Sequence, residues 1–453
     1  MNKNRDDKIL IYIIMALIID FIGHYKGDKI IIVISIGLIL SIMLFTTSQK
    51  HIKILFICLP FFNLLAMKVG ETSFFYVLMC IYILKVILEK IKKHQIKDLI
   101  KKYSIIVFIV LCTVRNMFDP EIKKYIIWLI FTIFFIFVYK DKNVKLKSCI
   151  NWFTLSFIIS SILGYIAIIN NLIQMFPVEL GYVWNDGNVV LRFVGLMGET
   201  NGYAQVDLIL ISFSLINIVQ SKNFKELSKY ILTSVMLIIF GCITYSKMFI
   251  IGFIIIITLL ILYYLYKNVV RHINIKRIYV LLSLLTIFTG FLTIFISKNM
   301  DSELISNYLI RFSSEDLSTG RFQVYRYFID FMESSTLYTL FGIGFYNYLI
   351  PWNISNNTGI CAHNIYLECS LLFGIIGFLL ILILVTYKIK SFIMKKKCFI
   401  LFIPLIIFFI TGLSLHSMLT NYFYFIILVI FKILESDEYV NKYEKSNFKI
   451  RNI

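Results

Sequence analysis

Charge is scarce in this sequence. Only 16% of its 453 residues are Asp, Glu, Lys or Arg, against 59% hydrophobic, with a mean hydropathy of +0.84. That balance excludes a soluble domain of this size. The alternation of apolar and polar residues that a lipid-facing barrel strand needs is also lacking, so spans must be helices. The longer loops contain no Gly-rich phosphate loop, no His/Cys metal spacing and no serine-nucleophile elbow. Neither a cofactor nor a metal is therefore expected. No internal repeat is present, and charges are few at mid-membrane, which argues against a transporter. Of eight cysteines only Cys361 lies clearly in an outer loop, so no structural disulfide is expected.

What the chain does have is apolar runs long enough to cross a hydrocarbon core of ~30 Å as helices. They fall at 8–24, 29–47, 52–67, 72–88, 102–115, 122–139, 150–175, 203–220, 229–245, 248–266, 278–297, 365–387, 399–415 and 418–434. The fold class is thus an all-α polytopic integral membrane protein of about fourteen spans, in the range 12–14. The first run has no small-residue cleavage site and reads as a retained helix.

Basic residues orient the bundle. With the N-terminus inside, inner segments hold 32 of the 45 Lys and Arg and outer segments 12, with Lys85 in a span completing the count. Both termini are therefore expected on the cytoplasmic side of the membrane. The net charge of +19 belongs to loops facing anionic headgroups, not to nucleic acid.

The chain divides into N-terminal spans (1–175), a first long outer loop (176–202), central spans (203–297), a large extracytoplasmic loop (298–364), C-terminal spans (365–434) and a cytoplasmic tail (435–453). Loops of this length carry function or structure of their own. In the second, Ser318 and Thr319 are candidate N-caps. Phe322, Tyr325, Phe328, Ile329 and Met332 then recur at helical spacing, which predicts an amphipathic helix on the membrane surface.

Polar residues collect where these loops meet the spans. His363 stands before Asn364 and Glu368, which share a helix face at i,i+4. Read alone, His363 is a polar residue ending a loop; with those neighbours it also suits a general base. Arg321 opens the amphipathic helix, where a cation is disfavoured by the dipole unless it holds an anion. Arg326 is spaced to pair with Asp330. Arg192 and Lys247 read either as snorkelling residues or, together with Arg321, as an outward cluster for phosphate. Glu199 and Asn201 precede a span, and Asp207 lies two turns inside it. As intramembrane charges, Asp207 and Lys85 are functional candidates by default, although Lys85 is near enough to the inner end to snorkel. His416, in a short outer turn, is a weaker candidate.

Four ordered segments carry a resemblance. They are "LRFVGLMGETNGYAQ", "TYSKMFIIG", "STGRFQVYRYFIDFMESSTLYTLFGIGFYNY" and "AHNIYLECSLLFGIIGFLLIL". Over about residues 190–385 the chain resembles the O-antigen polymerase and O-antigen ligase superfamily (Wzy and WaaL type). It departs from that pattern at Thr200 (proline in the family), Lys247 (arginine) and Tyr325 (near a tryptophan). Lysine cannot make the bidentate contact that arginine makes.

The resemblance implies a glycosyltransferase acting on the outer face, passing a glycan from undecaprenyl pyrophosphate to an acceptor sugar hydroxyl. The residue chemistry fits such a transfer independently: His363 suits the base, Arg321 and Arg192 are the candidate leaving-group stabilisers with Lys247 assisting, and Lys247, Asn364, Glu368, Glu199, Asn201, Asp207 and Arg326 are candidate substrate contacts. The expected partners are the lipid-linked oligosaccharide, the bilayer, and a chain-length regulator and flippase of the same pathway. A repeat-unit polymerase for capsule or O-antigen is the leading reading. A ligase is the alternative, and a flippase or transporter the reading from another class.

Overall fold

In the computed structural model, residues 2–65, 73–92, 122–140, 144, 146–170, 181–185, 188–197, 199–221, 223–270, 321–344, 350–353, 358–360, 362–396, 399–415 and 421–435 are described. The expected spans at 102–115 and 278–297, the candidate caps Ser318 and Thr319, Cys361, His416 and the tail beyond residue 435 lie outside them.

The described chain is mainly helical. In order it forms α1 (Asn2–Lys26), α2 (Lys29–Phe45), α3 (Ser48–Cys58), α4 (Phe74–Lys92), α5 (Ile122–Lys140) and α6 (Leu146–Ile169). A hairpin of β1 (Gly181–Asn185) and β2 (Asn188–Arg192) follows, then α7 (Thr200–Gln220), α8 (Phe224–Ile243) and α9 (Lys247–Val270). Next come α10 (Arg321–Glu333), α11 (Thr336–Phe341), a second hairpin of β3 (Ile350–Asn353) and β4 (Thr358–Ile360), α12 (Ile365–Lys396), α13 (Ile403–Gly412) and α14 (Asn421–Glu435). Both hairpins are antiparallel and lie in the two long loops, where no strand was expected.

Among the described residues, five helical stretches are long and apolar enough to cross a membrane: Lys8–Lys26, Leu146–Ile169, Thr200–Val219, Phe224–Ile243 and Ile365–Tyr387. Shorter apolar helices at Lys29–Phe45, Ile126–Val138, Lys247–Tyr263 and Ile400–Gly412 accompany them. The chain is therefore a polytopic helical membrane protein, while the described helices do not establish fourteen spans. One expected span is corrected. Residues 52–67 do not form a continuous helix, because α3 stops at Cys58 and passes into a 3-10 turn at Leu59–Phe61. Pro60 explains the stop, since it has no N–H to donate and its ring clashes with the preceding turn.

Local chemistry fixes the helix ends. Gly27 (φ 66°) closes α1, and the Asp28 carboxylate caps α2 by accepting from the Ile30 N–H at 2.8 Å. Asp20, buried in this α1–α2 pair, accepts from the Ser35 hydroxyl at 2.7 Å. Lys85 donates to the Leu44 carbonyl at 3.1 Å and to that of Thr46, so it caps the end of α2. Large apolar residues such as Val33, Phe45 and Leu232 remain exposed, as suits a lipid-facing surface.

Helix α7 is the most enclosed of the five crossing stretches, with 83% of its apolar window buried. Its neighbours approach closely through glycine. A Cβ at Gly252 would lie 2.5 Å from the Leu208 side chain, and one at Gly241 only 2.1 Å from Phe249. Between them α8, α9 and α13 surround the helix whose first turn carries Asn201.

Candidate functional site

The first cluster forms where β2, α7 and the α8–α9 turn meet. Arg192, the last residue of β2, is buried at 8% exposure. Its Nε donates to the Thr244 carbonyl at 3.2 Å and its Nη2 to Asn201 Oδ1 at 3.0 Å. The next residue joins the same turn, since the Phe193 N–H donates to the Ile243 carbonyl at 3.4 Å.

The turn itself is tightly specified. Tyr245 takes a left-handed conformation (φ 48°), unusual for an aromatic residue. The Thr244 hydroxyl donates to the Gly241 carbonyl at 2.6 Å and accepts from the Ser246 N–H at 3.3 Å. The Ser246 hydroxyl reaches the same Asn201 oxygen at 3.3 Å. Lys247 begins α9 directly after it. Asn201 therefore ties the cation to the turn, and neutral acceptors at 3.0 and 3.2 Å set the direction of the Arg192 guanidinium. Glu199 occupies the N-cap position of α7, with its carbonyl accepting from the Tyr203 N–H at 2.9 Å.

The second cluster joins α10 to the start of α12. Asn364 caps α12: its Oδ1 accepts from the N–H of Tyr366 at 2.9 Å and of Leu367 at 3.3 Å. That oxygen is thus engaged in holding the helix start. His363, just before it, is left-handed (φ 46°). Glu368, 3% exposed, lies in the first turn, where the helix dipole favours a carboxylate.

From α10, the Tyr325 hydroxyl donates to the Leu413 carbonyl at 2.6 Å and lies 3.4 Å from the His363 carbonyl. Burial raises the Tyr325 phenol above its ordinary range, opposed by the charge of Arg321 and a hydrogen bond with Asn364. It thus remains protonated, as a donor, at neutral pH. Arg321 is one turn earlier and half-buried. Below these groups Phe328, Met332, Ile343, Ala362 and Leu371 form a small apolar core.

The two clusters share one end of the bundle. Gln205, one turn past Asn201, donates to the Thr411 hydroxyl at 2.7 Å, and Thr411 lies two residues before Leu413. The Tyr366 hydroxyl also donates to the Phe409 carbonyl at 2.6 Å, locking α12 onto α13. Alongside, an apolar groove runs between α12, α13 and α14, from Ile365 and Tyr366 beside the second cluster to Val385 and Phe431.

Two predicted site residues stand apart from this arrangement. Arg326 is on the exposed face of α10, away from Phe328 and Met332, and no ion pair joins it to Asp330 among the described residues. Phe322 and Ile329, expected in the apolar stripe, are 74% and 44% exposed. Asp207 is fully buried two turns below Asn201, packed where a Cβ on Gly241 would lie 2.5 Å from its Oδ2. Neither Asp207 oxygen has a hydrogen-bond partner among the described residues.

Thr244, Ser246 and Gln205 are not among the site residues expected from the sequence, and Tyr325 was expected as an apolar position near the family's tryptophan, not as a hydrogen-bonding bridge. Small hydroxyls in a short turn carry little signal of their own. The Gln205–Thr411 bond spans 206 positions and has no local signature.

Such a molecule is a helical membrane protein whose cations and histidine gather at one end beside an apolar groove. Residues 232–382 match a family model described as O-antigen ligase. The match covers a third of the chain and supports the resemblance to the O-antigen polymerase and ligase superfamily that its motifs carry. The match takes in Lys247, Arg321, His363, Asn364 and Glu368, and begins after Arg192, Glu199, Asn201 and Asp207. No curated protein matches the chain.

Proposed function

We propose that the chain is a surface-polysaccharide polymerase of the cytoplasmic membrane, joining repeat units carried on a polyprenyl pyrophosphate. The observation that carries this reading is the pairing of an oriented, buried Arg192 with the His363–Arg321 cluster, at the same end of the bundle as an apolar groove. Both termini would be cytoplasmic and the site would face outward.

In the proposed reaction an acceptor sugar hydroxyl attacks the anomeric carbon of the lipid-linked glycan. A C–O bond forms, the anomeric carbon–phosphate oxygen bond breaks, and the polyprenyl pyrophosphate leaves with the electron pair. His363 takes the hydroxyl proton. Arg192 and Arg321 stabilise the charge growing on the pyrophosphate, with Lys247 assisting. The groove lined by Phe408, Phe409 and Ile430 accommodates the prenyl chain. Glu368 and Glu199 contact the sugar or orient neighbouring groups. A flippase and a chain-length regulator would act before and beside it.

A ligase would use the same donor chemistry with a second acceptor. Purified protein given only a polyprenyl-pyrophosphate-linked repeat unit separates the two. Oligomers growing on the carrier support the polymerase. Transfer that begins only when an anchor such as lipid A core is added supports the ligase.

A further inference from the structure

Helix α12 is interrupted at Gly374, whose backbone (φ 67°, ψ 177°) leaves the helical region. Such a residue disrupts the i→i−4 ladder around it. Two carbonyls beside this break are taken by another part of the chain. The Ile343 N–H donates to the Leu371 carbonyl at 2.8 Å, and the Gly344 N–H to the Leu372 carbonyl at 3.2 Å. Both donors belong to the turn after α11, and both residues are buried.

The fit is backbone against backbone. Gly342 (φ 75°), Gly344 (φ 72°) and Gly374 are all left-handed. A Cβ on Gly374 would lie 2.2 Å from the Leu340 carbonyl oxygen, and one on Gly342 would lie 2.6 Å from Leu372 and Gly374 backbone atoms. Any side chain here is excluded twice, by conformation and by space. The two glycine motifs, some thirty residues apart, are two halves of one joint.

We infer that this joint positions Arg321 against His363, so that Gly342 and Gly374 act as positioning residues for the transfer reaction. Helix α10 is attached to α12 through the Tyr325 hydroxyl near His363, the apolar cluster around Phe328, and this main-chain lock. The apolar cluster reaches the lock, since Ile343 and Leu371 belong to both. The lock adds a second anchor beyond α11, so the helix bearing Arg321 cannot pivot away from the helix start bearing His363. The catalytic part of the inference rests on the proposed function; the joint itself does not.

Two measurements test it. Hydrogen exchange on the wild-type protein in nanodiscs reads the joint without any assay of activity. The Ile343 and Gly344 amides should exchange at least roughly tenfold more slowly than free chain, and exchange at the free-chain rate overturns the joint. The second is a double-mutant cycle on transfer from a polyprenyl-pyrophosphate-linked repeat unit. Gly374→Ala should lower kcat at least roughly tenfold in wild type and cost little further in the Arg321→Ala background, because both act through one group. Multiplying losses would mark a general folding defect and overturn the positioning role. If Arg321→Ala alone leaves transfer unchanged, both its assigned role and the positioning claim fall, while exchange still reports on the joint. Gly37→Ala, where a Cβ meets nothing within 4 Å, is the control.

Discussion

Individual side chains make the sharpest claims. Arg192 is directed by Asn201 and Thr244, so its geometry, not its charge alone, should matter. Arg192→Lys keeps the charge but loses the two-point hold, and should reduce transfer at least roughly tenfold. Asn201→Ala should reproduce part of that loss. Steady-state kinetics of both variants on a lipid-linked donor checks the pair, and full activity in Arg192→Lys would mean that only charge counts. Tyr325→Phe removes a donor to the Leu413 carbonyl and should cost about 1 kcal/mol in stability, read as a lower midpoint in thermal unfolding.

At this scale the sequence was informative wherever a charge broke an apolar background. Arg192, Lys247, Arg321 and His363 were visible for that reason, since each stands out against spans that carry almost none. Asn364 was visible too, but its side-chain oxygen serves the helix start, a role that its place before an apolar run already allows. Tyr325 was not visible as a bridge, because its partners are carbonyls 38 and 88 positions away.

Elements decide how those side chains meet. The Asn364 cap holds the first turn of α12, so Asn364→Ala should destabilise the protein by about 1 kcal/mol and loosen the segment carrying His363. Faster exchange at the Tyr366 and Leu367 amides, with the rest of α12 unchanged, is the expected signature; uniform protection would show that the cap is dispensable. Long apolar runs predicted most of the described membrane helices directly. It failed at residues 52–67, where Pro60 ends the helix inside an apolar run. The first hairpin also escaped notice, although Asp186 and Gly187 between its strands are a known two-residue turn signal. The break at Gly374 gave no warning because glycine is common within membrane helices.

The described molecule is a set of membrane helices with the candidate site at one end. The central α7 passes the site through Asn201 and continues inward past Gln205 to the enclosed Asp207. The bias of basic residues predicts the orientation, with both termini inside. Reporter enzymes that work only outside the membrane should be active when fused after Met197 or Phe341, and inactive when fused at the C-terminus. The opposite pattern would put the site in the cytoplasm and exclude an outward-facing donor. Composition made the membrane class legible, because 59% hydrophobic residues leave no soluble alternative. The meeting of Arg192 with the turn at Thr244, 52 positions later, required the fold.

The most direct test of the central claim is made in cells. A strain lacking this gene is complemented with wild type, Arg192→Ala, Arg321→Ala or His363→Ala, and its surface polysaccharide is run beside its lipid-linked intermediates. A polymerase using these residues predicts that wild type alone restores the ladder, while each variant, though inserted normally, leaves single repeat units on the carrier. Full-length polymer from the His363→Ala strain, or repeat units trapped on the cytoplasmic side, would contradict it.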